Sequence, residues 1–208
     1  MKRIVFLRHP QTKFNLAPIR LRGGLDIPLS PAGLAQIEDI VATLKKAFPD
    51  IRQIYSSPLE RASILATSVA YEYGLKVAKL PGLKSWDYGV LNGRSVSEVV
   101  DVLNQMSTGA GRLLAPKDGI SMHDFMVALG PGTPEQEGAI KHIIYNAPEE
   151  GVVLVTTHLQ NIMIGTHWLA AGLPEDVLNM PYSYTEENTI EPGNWIEIRR
   201  DWVKVKYD

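Results

Sequence analysis

The chain has 208 residues, 45% of them hydrophobic, a formal net charge of −2 and no cysteine. Without cysteine there is no disulfide, no thiolate metal site and no cysteine nucleophile. A charge this close to zero carries no general affinity for nucleic acid or an anionic membrane, so neither is expected as a partner.

The amino terminus, Met1-Lys2-Arg3, is basic, but only four apolar residues separate it from Arg8. That is too short for the core of a signal peptide, and no run approaches the length of a membrane span. A cytoplasmic location is expected. Ile4-Val5-Phe6-Leu7 reads as a short buried strand that stops on Arg8-His9-Pro10. Taken alone, Arg8-His9 is a polar surface turn. Its significance depends on what comes later in the chain.

Residues 16–29 read as a loop holding Arg20, Arg22, Gly23-Gly24 and Asp26. Ser30-Pro31 then opens a helix, serine as the N-cap and proline in the first turn. Leu34, Ile37, Val41, Leu44 and Phe48 form its apolar face, and Pro49 closes it. A second strand is expected over 51–55. Ser57-Pro58-Leu59-Glu60 repeats the helix-start signal as a capping box, with Arg61 in the first turn, where the helix already favours an anion. This helix runs to Gly74.

A third strand is expected over 76–80, then a loop over 83–93 containing Trp86, Asp87, Tyr88, Asn92 and Gly93. Helices are expected over 94–109 and 135–145, and a short one from Ser121. Val152-Val153-Leu154-Val155 is the strongest strand signal, continuous and β-branched as in a parallel strand covered on both faces, and it runs into His158. A helix follows to about Ala171. The tail, 188–207, alternates and breaks at Arg200-Asp201, which predicts an edge hairpin. Strands alternating with helices predict an α/β three-layer sandwich, with a mostly parallel central sheet, helices on both faces and an edge hairpin at the C-terminus. Arg8, His9, Arg61 and His158 then fall on one rim of the sheet, as an anion pocket suited to phosphate.

Several ordered stretches carry a family resemblance: Arg8-His9-Pro10-Gln11-Thr12 with Asn15; Gly23-Gly24-Leu25-Asp26-Ile27-Pro28-Leu29-Ser30-Pro31-Ala32-Gly33 with Gln36; Ser57-Pro58-Leu59-Glu60-Arg61-Ala62; His158 after its Val-rich strand; and Asn188-Thr189-Ile190 before the hairpin. In these the chain resembles the histidine phosphatase superfamily, also called phosphoglycerate mutase-like. The resemblance implies a single domain over 1–208, with an unmatched insertion at about 94–135. It implies a phosphomonoesterase that forms a phosphohistidine on His9, with Arg8, Arg61 and His158 on the phosphoryl oxygens. Asn15, Gln11, Arg22, Gly23 and Leu159 would line the phosphate and substrate side. No metal and no cofactor are expected, since arginines supply the positive charge. The substrate class is a phosphorylated small molecule or a phosphopeptide. A mutase-like phosphotransferase and a phosphate-binding module without turnover are the alternatives.

Three positions depart from the family pattern. Pro10 stands where the family has glycine. Leu159 stands where a small residue is usual, making that side of the pocket more apolar. Ser85 stands where the family often has a glutamate that protonates the leaving group. A serine hydroxyl cannot serve as that acid near neutral pH. Asp87, two residues on and about 6 to 7 Å away on the same side of an extended segment, is expected to take over. A loop-capping carboxylate is the other reading of Asp87. Ser121-x-x-Asp124 reads as a helix cap, with His123-Asp124 as a weaker lid candidate. His142 and His167 read as packed or solvated. Arg20, Arg94, Arg112 and Lys117 read as solvated charge that would otherwise meet a second acidic group.

Overall fold

The computed structural model describes residues 3–18, 20–95, 97–99, 133–170, 190–199 and 204–206. A six-stranded sheet runs through its centre, in the order β3-β2-β4-β1-β5-β6. The strands are β1 (Arg3–Arg8), β2 (Ile51–Ser56), β3 (Val77–Lys79), β4 (Val152–Thr157), β5 (Trp195–Arg199) and β6 (Lys204–Lys206). β1 and β2 pair with β4 in parallel, and β3 with β2. β5 and β6 are antiparallel, the expected edge hairpin.

Helices cover both faces, as period-2 side chains on the strands require. Val5, Leu7, Ile54, Val152 and Leu154 pack under α1 (Pro31–Ala47) and α2 (Glu60–Tyr73). Ile4, Phe6, Val153, Val155, Ile196 and Ile198 pack under α3 (Pro134–Asn146) and α4 (Leu159–Ala170). β4 lies between β1 and β2 and is buried along its whole length. Its unbroken apolar run is the sequence signature of that position.

Ser30 caps α1 as expected, its Oγ accepting from the Gly33 N–H at 3.0 Å. The buried stripe of α1 is Gly33, Ile40, Val41 and Leu44, whereas Leu34 is half exposed. Val41, Leu44 and Phe48 are buried as predicted and Ile37 packs against them, so of the predicted face only Leu34, in the first turn, departs. Gly33 explains it: a Cβ there would lie 2.0 Å from the Gln11 carbonyl oxygen, so the first turn of α1 packs directly against backbone.

The start of α2 also differs from expectation. The helix begins at Glu60, with Leu59 at the N-cap and no side-chain cap of its own. Ser57 continues the sheet instead, its N–H donating to the Thr156 carbonyl at 2.9 Å. The helix ends as predicted on Gly74, which is left-handed at φ 63°. Of the helix expected over 94–109, positions 97–99 are described and helical. Arg94 and Ser95 are described and not helical, Ser95 forming a bridge with Arg20 instead. Positions 96 and 100–109, the Ser121 helix, Arg112, Lys117, His123, Asp124, Asn188, Thr189, Arg200 and Asp201 lie outside the described residues.

Candidate active site

The register of the sheet builds the site. Arg8 pairs with Thr157, and Ser56 with Thr156, so β1, β2 and β4 end at nearly the same level. The next residues along the three strands are His9, Ser57 and His158. The His9 N–H donates to the Thr157 carbonyl at 3.0 Å, which keeps the first residue past β1 in the ladder. Adjacent strands lie about 4.8 Å apart, and the side chains meet accordingly. The His9 and His158 ring centroids are 5.3 Å apart, and His158 Nε2 lies 2.8 Å from Ser57 Oγ. Both imidazoles and Ser57 are buried.

His9 Nδ1 is 2.7 Å from the carbonyl oxygen of Pro10. A carbonyl only accepts, so Nδ1 carries the ring proton and Nε2 keeps its lone pair. Proline retains the one group that His9 uses from this position, its carbonyl. Burial, followed by the charges of Arg22, Arg8 and Arg61, pushes the His9 pKa well below its ordinary value; the Pro10 hydrogen bond acts the other way. His158 is lowered for the same reasons, by burial first, then by Arg61, His9, Arg22 and Arg8. Both rings are neutral at pH 7. The mutual influence of these groups also shows that Arg8, His9, Arg22, Arg61 and His158 share one locus.

The cations are held by neutral acceptors. Arg8 Nη1 donates to the Ile190 carbonyl at 2.5 Å. Arg61, fully buried, donates from Nη1 to the Leu25 carbonyl at 2.5 Å and from Nη2 to the Gly23 carbonyl at 3.1 Å. Burial chiefly, with Arg22 adding to it, lowers its pKa to about 10, so it stays charged at neutral pH. Arg22 Nη1, Arg61 Nε and His158 Nδ1 are buried with no hydrogen-bond partner. Buried polar groups left in this state call for a partner the protein does not supply. Each of these nitrogens can donate, so the partner they call for is an acceptor such as an anion.

Other candidates are placed differently. Asn15 Oδ1 accepts from the Thr12 N–H at 2.8 Å and the Thr12 hydroxyl at 2.9 Å, which fixes its amide plane. Gln11 braces the start of α1: its Oε1 accepts from Ser30 Oγ at 2.8 Å, and its N–H donates to Gln36 Oε1 at 3.1 Å. Leu159, the first residue of α4, is buried and belongs to the apolar cluster on the α3 and α4 side of the sheet. Arg20 donates to the Gly93 carbonyl at 2.9 Å, and the His142 ring stands edge-on to Tyr55.

Asp87 does not suit proton donation. It is exposed, and its Oδ1 accepts from the Gly89 N–H at 2.9 Å and from Asn92 Nδ2 at 2.5 Å. These two donors hold its pKa below the usual carboxylate range. A general acid needs the opposite shift. The bonds of Asp87 are those of a loop-capping carboxylate, while Ser85 is buried.

Some positioning residues went unrecognised in the sequence. Ser57 orients His158. Asn161 Nδ2 donates to the Leu83 and Lys84 carbonyls at 2.7 and 2.9 Å, tying the 83–93 loop to α4. Gln136 Nε2 donates to Asn161 Oδ1 at 2.7 Å, and Gln136 accepts from Trp86 Nε1 at 3.3 Å. The pairing of Trp86 with a buried glutamine fifty positions away leaves no local sequence signal. Among the described residues, no group of three or more His, Asp or Glu could hold a metal ion, and no helix is long and apolar enough to cross a membrane.

A family model for the histidine phosphatase superfamily (branch 1) matches residues 4–195. The chain belongs to the histidine phosphatase superfamily. Within it, a phosphoserine phosphatase 1 from Hydrogenobacter thermophilus is 32% identical over 102 residues, 49% of this chain and 46% of that protein. A 2,3-bisphosphoglycerate-dependent phosphoglycerate mutase 2 from Latilactobacillus sakei is 35% identical over 106 residues, 49% of this chain and 45% of that one. The matched region thus spans about half the length of these curated relatives. A mycobacterial glucosyl-3-phosphoglycerate phosphatase in complex with VO3 shares the fold, with TM-score 0.68 at 24% identity over 96% of this chain and 93% of the other. So does a phosphoserine phosphatase variant from Entamoeba histolytica in complex with phosphoserine, with TM-score 0.63 at 20% identity over 97% and 93%.

Proposed function

We propose that this histidine phosphatase superfamily member is a phosphomonoesterase acting on a phosphorylated small molecule. The observation that carries the reading is the buried, neutral His9, its Nδ1 proton held by Pro10 and its ring set among Arg8, Arg22, Arg61 and His158. His9 Nε2 attacks phosphorus, the N–P bond forms, and the ester P–O bond breaks. Nδ1 keeps its proton on the Pro10 carbonyl, so the charge that the ring gains is offset where it appears. The leaving oxygen takes up a proton from solvent water. Water then attacks phosphorus, the N–P bond breaks, phosphate departs, and His9 returns neutral. Splitting the transfer in two replaces one hard step by two easier ones. Arg8, Arg22 and Arg61 stabilise charge on the phosphoryl oxygens from a site built before substrate arrives, the condition under which such groups contribute most.

The test is hydrolysis of an aryl phosphate by the full chain, with His9→Ala alongside. Turnover that vanishes in the variant, with an alkali-stable, acid-labile phosphoryl label trapped on the wild-type protein, supports the reading. Turnover that survives His9→Ala refutes it. Passage of the label to a sugar acid instead of water would assign the mutase chemistry of the Latilactobacillus relative, and phosphate binding without turnover would assign a binding module.

A further inference from the structure

We propose that Asp26 is a positioning residue for Arg61, fastening the 23–26 turn to the start of α2 so that one turn holds both ends of the arginine. The inference rests on the phosphatase reading of the His9 site. Arg61 is fully buried, and no carboxylate pairs with it among the described residues. Its guanidinium is fixed by two carbonyls, those of Gly23 and Leu25. A carbonyl is only as well placed as the turn that carries it. The next residue, Asp26, accepts from the Glu60 N–H at 2.8 Å through Oδ1. Glu60 is the first residue of α2 and the neighbour of Arg61.

The turn is therefore closed onto α2 at two points, one at the arginine's head and one at the backbone beside its root. α2 lacks a side-chain cap of its own, so the carboxylate from this distant loop meets a need the local sequence leaves open. With Nη1 and Nη2 engaged, the orientation of the guanidinium is set, and its buried Nε has no protein partner. A geometry of this kind is sensitive to small shifts: displacement by about 1 Å can cost a hundredfold in rate. Asp26 itself is exposed and carries a negative charge near an anion site. Its acceptor oxygen is the feature that fastens the turn, while its charge acts on Arg61 through space, favouring the protonated guanidinium.

The experiment compares Asp26→Ala and Asp26→Asn in the wild-type and Arg61→Lys backgrounds, reading kcat/KM on an aryl phosphate, affinity for inorganic phosphate, and Tm. Lysine cannot span the two carbonyls as the guanidinium fork does. Asp26→Ala is expected to lower kcat/KM by about tenfold to a hundredfold, with weaker phosphate binding. Asp26→Asn, which keeps an oxygen for the Glu60 N–H, is expected to restore most of both. In the Arg61→Lys background, Asp26→Ala should change neither, because the two residues act as one unit. Equal losses in both backgrounds, or a fall in Tm with unchanged kcat/KM and phosphate affinity, would overturn the proposal. A wild-type protein that binds phosphate without hydrolysing the ester would sink the phosphatase reading alone, and the phosphate affinities would still decide the role of Asp26.

Discussion

The rings of His9 and His158 stand 5.3 Å apart, centroid to centroid, at an interplanar angle of 56°, buried together among arginines. Neither imidazole gains from a proton there. Their pKa values lie below the ordinary 6.5 in the folded protein, through burial first and neighbouring cations second. Between those lowered values and about 6.5, the unfolded chain binds more protons than the folded one, so stability must fall as pH falls through that window. Above it the two histidines impose no penalty. Urea unfolding at pH 7.5 and pH 5 measures the difference. It should shrink in His9→Gln and His158→Gln, and equal differences in all three proteins would contradict the assignment. Inorganic phosphate, by placing negative charge between the rings, should raise both pKa values in a ring-proton NMR titration.

Ser57 makes two bonds with one oxygen. It accepts from the Leu59 N–H at 3.2 Å and meets His158 Nε2 at 2.8 Å. Donating its hydroxyl proton to Nε2 places the ring proton of His158 on Nδ1, the nitrogen left without a protein partner. Ser57→Ala leaves a buried N–H unpaired, which costs about 1–3 kcal/mol of stability, and releases the His158 tautomer. The expected result is a kcat/KM lowered by about tenfold at temperatures where the variant is folded. A stability loss with unchanged kcat/KM would make Ser57 a structural residue only.

What was legible in the sequence follows from what is local. Buried parallel strands appear as short apolar runs, so the ends carrying Arg8-His9 and His158 could be located, and parallel order placed them on one rim. Ser-Pro reads as a helix cap, and Ser57 Oγ does accept locally from the Leu59 N–H; its other bonds, to Thr156 and His158, cross to β4 and leave no local signal. The capping of α2 by Asp26 spans 34 positions, and nothing near Glu60 announces it. The exposure of Leu34 on α1 has the same origin, since the approach of Gly33 to Gln11 is a contact between segments and not a periodicity. The expectation for Asp87 rests on the family pattern at Ser85 and on spacing, and both are blind to which groups donate to a carboxylate.

Gly23 has φ 51°, and a Cβ there would lie 1.7 Å from Asn92 Oδ1. Gly23→Ala should therefore act twice. It imposes a left-handed penalty of about 1–2 kcal/mol, and it expels Asn92 from its bonds to the Tyr88 N–H and Asp87. Since the Gly23 carbonyl grips Arg61, kcat/KM should fall along with stability. Adding Asn92→Ala removes the clash and keeps the backbone strain. Partial recovery of kcat/KM in the double variant is expected, and no recovery would place the damage in the backbone alone.

Asp87→Asn separates a proton donor from a loop brace. In the first role the carboxyl is protonated when substrate binds, and its loss should cost about a hundredfold to ten-thousandfold on an alkyl phosphate, with little effect on an aryl phosphate whose leaving group needs no proton. In the second role, the bonds from Gly89 and Asn92 hold the carboxylate ionised at neutral pH. The substitution should then lower kcat/KM by less than tenfold, roughly, equally for both esters, and leave the basic limb of the pH profile where it was. The lowered pKa of Asp87 favours the second outcome. A selective collapse on the alkyl ester would show instead that the 87–93 loop rearranges around bound substrate and frees the carboxyl to protonate it.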